Sequence, residues 1–215
     1  MTRRILPVFL AAVLIIGGRA VPASAQNAWP VSFKPFFVVT AEGFAAEKTF
    51  DAIFGESVHP LFGGGLEVTF KNRFFVDLTV LHFSETGERA IVLNGQLFHL
   101  GIPLRATLTP IEVSAGYRFA GHGRRVVPYI GAGIGSYRVA QESDLAVPGE
   151  NVEDRHVGYL AVGGAEVRVG RWLGFSGDVQ YTHVPGILGE GGISQHFDED
   201  DLGGLSVRFR VLVGR

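Results

Sequence analysis

Between residues 157 and 183 apolar and polar positions alternate one for one, with a single break at Gly170-Arg171. Val157, Tyr159, Ala161, Gly163, Ala165, Val167 and Val169 share one parity, while Glu166 and Arg168 stand on the other. Beyond the break Leu173, Phe175, Gly177, Val179 and Tyr181 alternate with Ser176, Asp178, Gln180 and Thr182. Successive side chains of a strand point to opposite faces, so this rhythm predicts two strands, each with one apolar and one polar face. The two-residue break predicts a tight antiparallel turn between them.

The same rhythm recurs over 36–44, 61–70, 74–83, 104–119, 126–139 and 203–213, which makes eight predicted strands with the pair above. It is weakest over 126–139, where Pro128, Gly131, Gly133 and Gly135 predict bends or bulges. The predicted connections cover 45–60, 71–73, 84–103, 120–125, 140–156, 170–171 and 184–202, so long and short alternate throughout. That order gathers the tight turns at one end and four long loops at the other. Outer-membrane barrels have this arrangement, with short periplasmic turns and longer external loops. An even strand count also allows a closed sheet without edges.

Turning the apolar parity outward assigns ten charged residues to the inner face. They are Glu67, Asp77, Glu112, Glu166 and Asp178, with Arg118, Arg138, Arg168, Arg208 and Arg210. Enclosing such charges in an oily soluble core would cost several kcal/mol each unless they were paired. In lipid the requirement inverts: the outside must be apolar, and a narrow lumen accommodates a paired, hydrated network. Eight strands enclose a space that side chains largely fill. The expected fold is therefore all-β, an eight-stranded antiparallel up-and-down transmembrane β-barrel with a structural network of charges in a filled lumen. On this assignment Val179→Arg, facing lipid near the midplane, costs ~2–4 kcal/mol, and Ser176→Arg, facing the lumen, costs much less.

Composition narrows the picture further. Glycine is 30 of 215 residues, which disfavours long helices. Cysteine is absent, so no disulfide framework, thiolate metal site or thiol nucleophile is available. The net charge of −2 and the lack of a long basic run argue against a nucleic-acid partner. At the start of the chain Arg3 and Arg4 precede an apolar core, and Ala23-Ser24-Ala25 supplies an A-x-A cleavage pattern. The expected division is a cleavable signal peptide over 1–25 and the barrel domain over 26–215.

The run from Gly101 through GIPLRATLTPIEVSAGYRF, then VPYIGAGIGSYRV and AVGGAEVRVGRWLGFSGDVQYTHV, resembles the bacterial eight-stranded outer-membrane β-barrel domain proteins. These are relatives in architecture of the OmpA membrane domain and of OmpX. The likeness extends over about 36–213. It implies residence in the outer membrane and no catalytic residues. The chain departs from such barrels in ending Val211-Leu212-Val213-Gly214-Arg215 instead of on an aromatic residue.

Candidate chemistry is sparse. His59, His82, His99, His122, His156, His183 and His196 show no metal-ligand spacing, and are expected as solvated histidines of loops, turns and strand ends. His183 has no serine close behind it, which argues against lipid hydrolysis by an activated nucleophile. Asp198-Glu199-Asp200-Asp201 offers hard oxygen ligands without the spacing of a calcium loop, and is read as a solvated charge run. Gly131-Ala132-Gly133-Ile134-Gly135 lacks the rest of a nucleotide-binding pattern.

The expectation is a non-enzymatic, monomeric outer-membrane barrel without cofactor or metal, anchoring four surface loops for structural or interaction roles. Its partners would be outer-membrane lipids, the barrel insertion machinery and surface ligands met through the loops. The alternatives are a narrow ion or small-solute pore and a periplasmic barrel binding an apolar ligand.

Overall fold

The computed structural model describes residues 31–93, 96–119, 125–143, 152–170, 172–188 and 192–214. The expected signal peptide and His122 lie outside them. Eight strands run in chain order: β1 (Val31–Phe44), β2 (Val58–Phe70), β3 (Phe74–Leu93), β4 (Gln96–Arg118), β5 (Val126–Ser143), β6 (Val152–Arg168), β7 (Leu173–His183) and β8 (Gly204–Val213). Each pairs antiparallel with its sequence neighbours, and β1 pairs with β8 to close the barrel. Two short helices interrupt the connections, α1 (Glu47–Phe54) after β1 and α2 (Gly192–Phe197) after β7.

The barrel is inverted relative to a soluble one. Val179 and Val207 are 48% and 60% exposed, whereas their strand neighbours Asp178 and Arg208 are 3% and 4% exposed. On β3, Leu78 is exposed and Asp77 buried. An apolar lumen, which a soluble barrel for apolar ligands would need, is thus absent where these strands meet. The apolar outer band on β5 runs from Val126 through Ile130 and Ile134, and gives way to Ser136 and Arg138. Ten residues at ~3.3 Å each, tilted about 40°, rise about 25 Å, the height of the apolar band of such barrels. Outward-facing aromatics mark its rims. Phe74, Tyr117 and Phe119 pack edge to face beside the tight turns, and Tyr159 and Tyr181 stand toward the opposite end.

Strand lengths differ from the sequence reading. The connection expected over 84–103 is mostly strand: β3 continues to Leu93 and β4 begins at Gln96. Likewise β5 runs to Ser143 and β6 starts at Val152. Alternation marks only the part of a strand with lipid on one side. Above the bilayer both faces meet water, and hydrogen bonding continues without that signature. The strict alternation of long and short connections fails at 84–103 for this reason. The expected two-residue turn at Gly170-Arg171 is also longer, since β6 ends at Arg168 and β7 begins at Leu173. The β2–β3 turn matches its expected tightness. Lys71 and Asn72 take φ of 50° and 56°, and Arg73 N–H donates to Phe70 O at 3.0 Å, a type I′ turn.

The glycine run of β5 makes room for lumen aromatics. Gly116 and Gly131 are register partners, and a Cβ on either would fall 2.6 or 2.9 Å from the Phe75 ring.

Candidate functional site

The lumen is built from inward-facing residues of all eight strands, and its charges form three layers. At the end of the tight turns, Lys34 Nζ lies 2.9 Å from Glu67 and 3.0 Å from Glu166. Arg118 bridges the same two carboxylates, reaching Glu67 at 2.6 Å and also bonding Glu166. Arg168 closes the layer at the mouth, with Nε 3.2 Å from Glu166 Oε1. A recess of about 250 Å³ opens to this end and is lined by Lys34, Glu166 and Arg168 among others.

The middle layer centres on Arg210. Its guanidinium bonds Asp77 at 2.8 Å and Ser176 at 3.0 Å, lies 3.1 Å from Asp178, and stacks over Phe36 with centroid distance 5.2 Å. Tyr129 donates its hydroxyl to Asp178 at 2.7 Å. The upper layer joins Arg208 to Asp178 at 2.6 Å and to Glu112 at 3.4 Å. Glu112 also accepts from Tyr137 at 2.8 Å and from Gln180 Nε2 at 3.1 Å. Truncating one partner of such a buried pair strands the other, so the layers are mutually dependent.

Above the ions the lumen turns apolar. Phe44, Phe50, Leu61, Phe83, Leu108, Val184 and Leu202 belong to one buried cluster, and α1 contributes Phe50. Phe44 and Phe50 stack at 4.0 Å. The helix lacks a side-chain cap of its own at Ala46. Glu199 supplies one, accepting from Lys48 N–H at 3.0 Å and from Thr49 N–H and hydroxyl at 2.9 and 2.7 Å.

Of the ten charges assigned to the lumen by parity, Glu67, Asp77, Glu112, Arg118, Glu166, Asp178, Arg208 and Arg210 are buried inside, and Arg168 sits half-buried at the mouth. Arg138 is on the outer face, exposed beyond Ile134. The parity of β5 is set by exposed Ile130 and Ile134 against buried Val127, Tyr129 and Tyr137, and Arg138 falls with the former. Lys34 was missed because β1 starts at Val31, five residues before the expected strand. Glu42, Tyr129, Tyr137 and Gln180 also belong to the lumen. Alternation over 40–44 and the lone aromatics on the weak parity of β5 were the signals for these.

Two readings of loop residues need correction. His59 is not solvated: it is buried among Phe44, Phe50, Phe54 and Phe83 and donates through Nε2 to Glu56 O at 2.8 Å. The acidic run is solvated at Asp198 and Asp200, which are exposed, but Glu199 caps α1. Asp201 accepts from Val184 N–H at 2.7 Å, Gly203 N–H at 2.8 Å and His183 Nδ1 at 2.7 Å. Partial burial pushes the Asp201 carboxyl up, but these donors hold it below the usual carboxylate range. Among the described residues no group of three or more His, Asp or Glu converges as metal ligands.

On the loop side, β3 and β4 continue as a two-stranded hairpin with Phe98 and Leu100 exposed. A groove of about 590 Å³ separates this hairpin from α1, lined by Asp51, Phe54, Gly87, His99 and Pro103 among others.

The family model for the outer membrane protein beta-barrel domain matches residues 9–209. No curated protein matches the chain. Among solved structures, Neisserial surface protein A shares 11% identity at a TM-score of 0.45, over 86% of this chain and 94% of that one. The N-terminal β-barrel domain of Pseudomonas aeruginosa OprF shares 10% identity at 0.46, over 85% and 97%. The Pseudomonas aeruginosa outer membrane protein OprG shares 13% at 0.44, over 87% and 94%.

Proposed function

Because the chain belongs to the outer membrane protein β-barrel domain family and resides in the bacterial outer membrane, we propose that it is a closed, non-enzymatic barrel that holds its long strands and loops at the cell surface for structural or interaction roles. The observation that carries this reading is the double closure of the lumen. Ion layers from Lys34 to Glu112 fill the lower part, and the apolar cluster under α1 seals the upper part. An ion crossing would have to displace Arg210 from Asp77 and Asp178 and then pass Phe44 and Phe50. Each step exposes buried charge or buried apolar surface, so the barrel is a plug. The extended β3–β4 hairpin and the adjoining groove are the surfaces such an anchor presents to ligands outside the cell.

Planar-bilayer recording of the purified protein tests this. The expected result is no reproducible unit conductance. A steady current abolished by Asp178→Asn in a variant that keeps its heat-modifiable gel migration, with the loops intact, would establish the narrow-pore reading instead.

A further inference from the structure

The lumen charges balance unevenly along the barrel axis. In the lower layer Glu67 and Glu166 face Lys34, Arg118 and Arg168, so bases exceed acids. In the middle and upper layers Asp77, Asp178, Glu112 and Glu42 share, among the described residues, Arg208 and Arg210 as their cations. Arg210 is committed to Asp77, Asp178 and Ser176, and Arg208 to Asp178 at 2.6 Å with a longer contact to Glu112 at 3.4 Å. Glu42 is 8% exposed and, among the described residues, has no ion pair.

Two neutral oxygens in neighbouring rows of the lumen have no hydrogen-bond partners among the described residues. Thr40 Oγ1 and Gln180 Oε1 belong to residues 1% and 2% exposed. Thr40 lies two residues from Glu42 on the same face of β1. Glu42 and Gln180 are both register partners of Ser206, so the three form one inward row across β1, β8 and β7. The Gln180 amide is oriented by its Nε2, which donates to Glu112 and to Thr182, so its oxygen is the end left over. Buried polar atoms are almost always satisfied, and orphans clustered beside uncompensated carboxylates point to a ligand.

We propose that the upper lumen binds one hard divalent cation of the calcium class, held between the Glu42 and Glu112 carboxylates with the Thr40 hydroxyl and Gln180 amide oxygens as neutral ligands. The donor set is all oxygen, which suits such ions and excludes soft metals. The ion's charge matches the excess of two among the four carboxylates over Arg208 and Arg210. It also satisfies both orphan oxygens in one step, which a proton shared between the carboxylates does not. The site lies under the apolar cluster, so the ion enters during folding or when the α1 plug opens.

The test is terbium luminescence on the protein folded into detergent micelles with Tb³⁺ present, with Tyr137 as sensitiser because its hydroxyl bonds Glu112 at 2.8 Å. The expected result is saturable emission from about one ion per chain, displaced by Ca²⁺ and weakened about tenfold or more in Glu42→Gln, as removal of a ligand charge requires. Glu42→Gln relieves repulsion, and retained heat-modifiable gel migration reports its folding. Should it fail to fold, Thr40→Val replaces it, with a loss of about threefold or more expected for a neutral ligand. Three outcomes overturn the proposal: no saturable emission, emission unchanged in the folded lumen variant, or emission removed by Asp198→Asn/Asp200→Asn, which places the ion on the surface.

Discussion

Glu199 grips Thr49 from 150 residues away along the chain, one carboxylate oxygen accepting both the backbone N–H at 2.9 Å and the hydroxyl at 2.7 Å. The contact joins the β7–β8 connection to the first turn of α1, where unsatisfied N–H groups and the helix dipole both favour an anion. Helix α1 has eight residues and no cap of its own, so its place over the lumen depends on this borrowed carboxylate. Glu199→Ala is expected to destabilise the plug by about 1 kcal/mol, the usual cost of losing an N-cap. Limited proteolysis should cut within 45–57 faster than in the parent, while the barrel keeps its resistance to SDS before boiling. Unchanged cutting would mean that Phe44 and Phe50 hold α1 without help.

Asp201 gives the same connection a pH dependence. Its folded pKa lies below the unfolded value of about 3.9, because Val184 N–H, Gly203 N–H and His183 hold the ionised form. A depressed carboxylate pKa contributes stability that is fully present above the unfolded value and lost as pH falls through the folded one. The amide resonances of Val184 and Gly203 should therefore move together, with a midpoint below about 3.9. Asp201→Asn should abolish that titration. A midpoint at or above the unfolded value would show that these donors do not select the charged form.

What the sequence revealed follows from where lipid touches the chain. Asp77, Asp178, Arg208 and Arg210 were legible because their neighbours Val76, Leu78, Val179, Val207 and Phe209 must face hydrocarbon. Parity alone therefore places them inside. Arg138 was misassigned because β5 carries glycines at 131, 133 and 135 on its inner face, where space is needed and no polar residue marks the parity. The upper plug was not legible. Leu202 lies far along the chain from Phe44, Phe50 and His59, and α1 is too short and too poorly capped to announce itself. Its cap comes from Glu199, in a run that reads as solvated charge until the fold brings the two loops together.

The two faces of β7 can be separated experimentally. Val179 is 48% exposed on the outer surface, so Val179→Arg should cost ~2–4 kcal/mol near the bilayer midplane. Ser176→Arg does not serve as the mild lumen control expected from parity alone. Ser176 is buried and accepts from Arg210 Nε at 3.0 Å, so an arginine there would crowd a second guanidinium against the first. Ser176→Ala is the better comparison, with a loss of about 1.5–3 kcal/mol at most for one hydrogen bond to a charged group. Urea unfolding in lipid vesicles measures both. A larger loss in Ser176→Ala than in Val179→Arg would contradict the assigned faces.

Arg210 carries the sharpest energetic prediction. Asp77 and Asp178 both rely on it, at 2.8 and 3.1 Å, while Asp178 has Arg208 as a second partner and Asp77 has no other ion pair among the described residues. Arg210→Met keeps an unbranched apolar stem but removes the guanidinium that lies over Phe36 and leaves Asp77 buried without compensation. Removing one partner of a buried pair costs ~3–5 kcal/mol, whereas removing both often costs little. Arg210→Met alone should therefore be severely destabilised, and Asp77→Asn in the same background should restore more than half of the loss. The coupling energy from the full double-mutant cycle should reach about 2–3 kcal/mol. Additive effects would mean that water, and not Arg210, solvates Asp77, and the lumen would then be an aqueous channel where the barrel needs a dry plug.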